Sequence, residues 1–116
     1  MAAVVRLGDI CTGHGCYPPR ANVNASPNVK VNGIGAHRVG DAWAVHGCGT
    51  CTPHGSSQGS GSSTVFVNGM PLARVGDNVA CGSSNATGSG NVFAGWLKIY
   101  QFFYLFFLLY FQFFIS

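Results

Sequence analysis

A mostly-β fold assembled from three copies of one short unit is what this sequence predicts, and three observations carry that expectation. The composition is 47% hydrophobic but only 8% charged, with 17 glycines in 116 residues. That balance favours extended chain and tight turns over helices laced with i,i+4 ion pairs. An RxGD motif occurs at residues 6–9, 38–41 and 74–77, and a strand-and-turn element alternates with it.

The repeat fixes the elements in order. RLGDICTGHG (6–15) returns as RVGDAWAVHG (38–47) and as RVGDNVACG (74–82), so Asp9, Asp41 and Asp77 are spaced by 32 and 36 residues. SPNVKVNG (26–33) returns as SSTVFVNG (62–69) and, shortened, as GSGNVFAG (88–95). Val29 with Val31, and Val65 with Val67, sit two apart on one face of a strand, and Asn-Gly supplies the positive φ of a tight hairpin turn. Each unit therefore reads as a short strand, a turn and a second short strand running into the RxGD corner. The Gly/Ser-rich stretch PHGSSQGSGSS (53–63) leads straight into the second strand of the same unit and is expected to be a loop inside one domain.

A domain this small buries too little apolar surface to be comfortable without a staple. The six basic residues giving a net charge of +3 are scattered, with no stripe to follow a phosphate backbone, so nucleic acid is not an expected partner. The opening MAAVVRLGD lacks the basic patch and apolar run of a secretory signal. With five cysteines and no such signal, metal ligands or reduced thiols are expected before a disulfide framework, and assembly in the bacterial cytoplasm follows.

Enzymology is constrained by the acids. The chain has three acidic residues, each the Asp of an RxGD corner and each three residues after Arg6, Arg38 or Arg74. Recurrence points to architecture: the carboxylates should accept backbone N–H bonds in the turn or pair with those arginines. No catalytic residue and no small-molecule substrate are expected. The metal signal is stronger. His14 and His46 occupy one position after RxGD, and Cys81 occupies it in the third copy with one residue deleted. If the copies wrap about a common axis, these three side chains converge, and His54 is the natural fourth. Zinc takes four N or S ligands in a tetrahedron, and such a closed set is structural. A purely local knuckle of His46, Cys48, Cys51 and His54 is the competing ligand set. His37 aligns with Ala73 and is expected to be an exposed non-ligand. Cys11 and Cys16 are expected to be half-buried thiols near the site.

The stretches NGIGAHRVGD (32–41) and NGMPLARVGD (68–77), each preceded by VxV and followed by HG or CG, resemble the Pro-Ala-Ala-Arg (PAAR) repeat. Pro71, Ala73 and Arg74 match in the second, Ala36 and Arg38 in the first. The resemblance covers about residues 4–95, and MAAVVRLGDICTGHGCYPPR is similar to the spike-tip proteins of T4-like bacteriophages. It implies a small cone of three β-hairpin-like repeats about a pseudo-threefold axis. It also implies a zinc ion near the apex held by three His and one Cys, which carries over to His14, His46, His54 and Cys81, and a broad base docked on a trimeric β-helical spike, one tip per trimer. The implied function is a structural tip that sharpens the membrane-puncturing spike of a contractile injection machine. The implied setting is a phage tail baseplate in the virion or a type VI secretion spike, with transient contact to a target membrane. A membrane-inserting effector carried by such a tip, and a small metalloenzyme or toxin, are the alternatives.

The repeat region is assigned to residues 1–96. Residues 97–116, LKIYQFFYLFFLLYFQFFIS, contain seven Phe and three Tyr and form a separate aromatic tail. At about 1.5 Å per residue a helix through it falls just short of a hydrocarbon core. The segment is read as a membrane-active extension, an apolar tail shielded by the spike, or the product of a shifted reading frame.

Overall fold

The computed structural model describes residues 1–95; the boundary at 96 and the aromatic tail lie outside the described residues. Eight strands and no helix are found among the described residues, so none of these is a helix long and apolar enough to cross a membrane. β2 (Lys30–Val31) and β3 (Ile34–Gly35) pair across Asn32-Gly33, and β6 (Phe66–Val67) and β7 (Met70–Pro71) pair across Asn68-Gly69. Both asparagines have positive φ, 55° and 53°, as a two-residue turn matched to strand twist demands. The third ladder is the shortened copy. β8 (Phe93–Ala94) pairs with β1 (Ala2–Ala3), so the missing half of the last hairpin is supplied by the N-terminus.

The copies are joined in a closed cycle. The Val5 amide donates to the Ala73 carbonyl, Ala73 to His37, and His37 back to Val5, at 2.9 to 3.0 Å. The next residue but one repeats the pattern, with Leu7 donating to Gly35, Val39 to Pro71 and Val75 to Ala3. Each copy thus satisfies the backbone of its neighbour, and no ladder has to stand alone.

The core is built from equivalent positions. Val4, Ala36 and Leu72, then Val31, Val67 and Ala94, then Val29, Val65 and Val92 make up one cluster. Cys11, Trp43 and Val79, each two residues beyond an RxGD aspartate, make up a second, with Cys81 packed against it. Bulk is shared within each layer: Trp43 stands with two small partners, and Leu72 with Ala36. Each aspartate accepts its arginine's backbone N–H and clasps that guanidinium; the Arg38–Asp41 pair uses three bonds of 2.9 Å and is buried. The expectation for the RxGD corners holds.

Two expectations need correction. PHGSSQGSGSS is not all loop: β4 (Ala42–Cys48) and β5 (Cys51–Ser57) form the longest hairpin of the structure, and Gln58 bridges to Val79. Its small residues reflect close packing, since a Cβ at Gly61 would lie 2.7 Å from the Leu72 carbonyl oxygen. His37 is not exposed but fully buried, with Nδ1 2.7 Å from the Asn24 carbonyl and its ring edge-on to Trp43. Its position is shared with Val5 and Ala73, so its layer takes one large residue and two small ones.

Burial pushes the His37 pKa below the ordinary 6.5, against the opposing pull of the Asn24 carbonyl and Asp41. Because the folded value is depressed, this group's contribution is intact above pH 6.5 and is lost as pH falls, where the unfolded chain takes up a proton that the fold refuses. His37→Leu should therefore show a flatter decline of Tm between pH 6.5 and 5 than the wild type. Parallel declines would exclude this origin.

Candidate metal centre

The four residues expected to converge do so. His14 lies in the turn after the first RxGD corner and bridges to Tyr17. His46 and His54 are paired partners on β4 and β5, and Cys81 follows the third corner. Their ligating atoms all lie within 4.8 Å of one another. The three Nε2 atoms form a triangle with sides of 3.2 Å (His14–His46), 3.1 Å (His14–His54) and 2.8 Å (His46–His54).

That triangle is what a cation needs and what neutral imidazoles alone do not favour. The Nδ1 of His46 lies 2.9 Å from the Pro18 carbonyl, and donation there puts the proton on Nδ1 and leaves Nε2 bare and aimed at its two neighbours. Arg20 also approaches this Nδ1, at 3.4 Å, but a guanidinium is donor-only, so the shorter carbonyl contact decides the tautomer. Ligands bonded to tetrahedral zinc at about 2.0–2.1 Å stand roughly 3.3 Å apart, close to the distances found. The donor set fits a closed structural site.

Sulfur is prepared as well. Burial opposes ionisation of the Cys81 thiol, but hydrogen bonds from Arg20, the Ser83 backbone, Ser56 and His54 outweigh it and bring the pKa from 9.0 to about 5. Arg20 is itself buried, and its partners are the Cys81 and Cys11 sulfurs at 3.4 and 3.3 Å, the Ala44 carbonyl and the face of Trp43. A buried guanidinium served by sulfur in place of a carboxylate favours the thiolate. Tyr17 closes the other side, its ring 4.3 Å from that of His54 and 4.8 Å from that of His14. The sequence offered no period from which to read Arg20 or Tyr17, because YPPR (17–20) has no counterpart in the other copies.

The competing knuckle is divided by the structure. His46 and His54 turn toward His14 and Cys81, whereas Cys48 and Cys51 group with Cys16. Cys16 and Cys48 form a disulfide, which corrects the expectation that they are metal ligands or reduced thiols. Their 32-residue separation equals that of His14 and His46, so one spatial relation between two copies brings both pairs together.

Comparison with known proteins decides the family, because the PAAR motif matches residues 12–86 and 48–99, more than half of the chain. The chain belongs to the PAAR motif family. Curated relatives that share this motif region include an NAD(P)(+) glycohydrolase toxin and a (p)ppApp synthetase toxin, both of Pseudomonas aeruginosa. Each is 36% identical over 82 residues, or 63% of this chain. A double-stranded DNA deaminase toxin of Burkholderia cenocepacia is 33% identical over 73 residues, 61% of this chain. The matches span only 18%, 18% and 5% of those toxins, so this PAAR chain is similar to one small part of each.

Proposed function

We propose that the chain is the tip protein of a contractile injection machine: one copy seats its ladder end on a trimeric β-helical spike, and the metal-stapled end leads into the target membrane. The observation that carries this reading is the closed cycle of backbone bonds linking Val5, His37 and Ala73. A single chain that repeats one unit three times in a ring offers a trimer three similar contacts at once, which no asymmetric monomer does. Ile34 and Phe66, exposed on two of the ladders, supply apolar surface for such a contact.

The metal is zinc, held by His14, His46, His54 and Cys81, and its role is stiffness. With the four positions filled by protein there is none for an activated water, so the role is structural and no catalysis is assigned to the chain. In the relatives the similar region is a small part of a bacterial toxin, which favours a secretion spike over a phage tail as the setting. It also supports a second reading, in which such a tip carries an effector.

Mixing the purified chain with a trimeric spike protein should give one copy per trimer by mass measurement in solution, from a tip that is monomeric alone. A stable homotrimer of the chain, or three copies per spike, would overturn the proposal.

A further inference from the structure

Three cysteines outside the His14–His46–His54–Cys81 cluster converge on one solvent-facing spot. Cys16 lies two residues beyond His14, and Cys48 two beyond His46; the third copy has Ser83 at that place. A third sulfur nevertheless arrives, from Cys51 across the β4–β5 turn. The three Sγ atoms lie within 4.8 Å of one another. Cys16 and Cys48 are bonded, and the free thiol of Cys51 is 3.6 Å from the Cys16 sulfur.

A crosslink needs two sulfurs, and this spot has three. Cys48 and Cys51 are paired partners on either side of Gly49-Thr50, the arrangement by which a CxxC turn offers two thiolates to one ion. The 3.6 Å between Cys51 and Cys16 is close to the roughly 3.8 Å that two thiolates keep around a tetrahedral ion with bonds of about 2.3 Å. Thiolate-only donor sets select soft cations, and exposure of Cys16 and Cys51 leaves a fourth position to water.

We propose that Cys16, Cys48 and Cys51, when reduced, form a second cation site for a thiophilic d10 ion such as Zn2+, and that the Cys16–Cys48 disulfide closes it. Opening requires a dithiol or phosphine reductant. Two electrons pass to the Cys16–Cys48 bond, each sulfur gains a proton, and the reductant leaves as its disulfide or phosphine oxide, the oxide's oxygen coming from water. The ion then displaces one proton from each of the three thiols. In reverse, a small-molecule disulfide accepts the two electrons, the Cys16–Cys48 bond re-forms and the ion departs. The Tyr17 ring stands between the two clusters: it stacks on His14 and lies tilted against His54, and its hydroxyl donates to the Thr52 carbonyl at 2.8 Å, next to Cys51.

The test is a Cd2+ titration of the full chain already carrying one equivalent of Cd2+, with and without a phosphine reductant, followed by the ultraviolet thiolate-to-cadmium band. The reduced wild type should take one more equivalent than the disulfide form, and its band should be about fourfold stronger, as four thiolates replace one. Reduced Cys51→Ser, altered only at an exposed position, should lose that extra equivalent and keep the other. Equal cadmium uptake by reduced wild type and reduced Cys51→Ser would overturn the proposal.

Discussion

Stripping the metal from His14, His46, His54 and Cys81 should unfold the chain or lower its Tm by about 20 °C or more, because little else in the fold is large enough to hold it. The main apolar cluster consists of valines, alanines and one leucine, and a core of that size supplies only about 3–5 kcal/mol in a small domain. A structural zinc can contribute on the order of 10 kcal/mol. Cys81→Ala should reproduce most of the loss and reduce metal content well below one equivalent, since it removes the sulfur that Arg20 holds as thiolate. His37→Ala should also melt lower, because it empties a buried site against Trp43 and strands the Asn24 carbonyl, but it should keep its metal. Metal analysis beside calorimetry separates the two effects. Retention of a full equivalent by Cys81→Ala would remove it from the site, and loss of all metal in a Cys48/Cys51 double variant would move the site to the local knuckle.

Asp41→Ala should cost about 3–5 kcal/mol, the penalty typical of breaking a buried pair by deleting one partner. Asp41 accepts the Arg38 backbone N–H and two guanidinium bonds, and both residues are more than nine-tenths buried. The variant leaves a buried cation whose remaining side-chain bond is to Asn68 at 2.9 Å. Asp9→Ala should cost less, because Arg6 is more exposed than Arg38 and water can replace the carboxylate. Chemical denaturation of the two variants measures the difference, and equal costs would show that burial of the pair is not what matters.

The parts of this fold that could be read from the sequence are those that recur at a fixed offset. RxGD places an acceptor three residues from its arginine, so the Asp–Arg clasp is local and legible. His14 and His46 share one offset from the corner and Cys81 follows with one residue deleted, so their convergence follows once the copies are packed together. What escaped the sequence depends on how the copies divide space among them. His37 aligns with Ala73, which suggested exposure, yet it is buried because their layer is filled by one bulky and two small side chains, a fact visible only when the copies are stacked. The Cys16–Cys48 bond had a signal in its 32-residue spacing, identical to that of His14 and His46, but a sequence pattern cannot choose between bonding and ligation. The stretch at 53–63 looked like a loop because its glycines mark close backbone contact as readily as freedom.

The pairing of β8 with β1 has a further consequence. The first and last described residues meet where the other two copies have an Asn-Gly turn, so the order of units along the chain is set only by where the ring happens to be cut. Joining Gly95 back toward Ala2 and opening the backbone at Asn68-Gly69 instead would leave every ladder, every clasp and all four ligands with their present partners. Among the described residues the polypeptide is linear, but its backbone bonding between copies is cyclic.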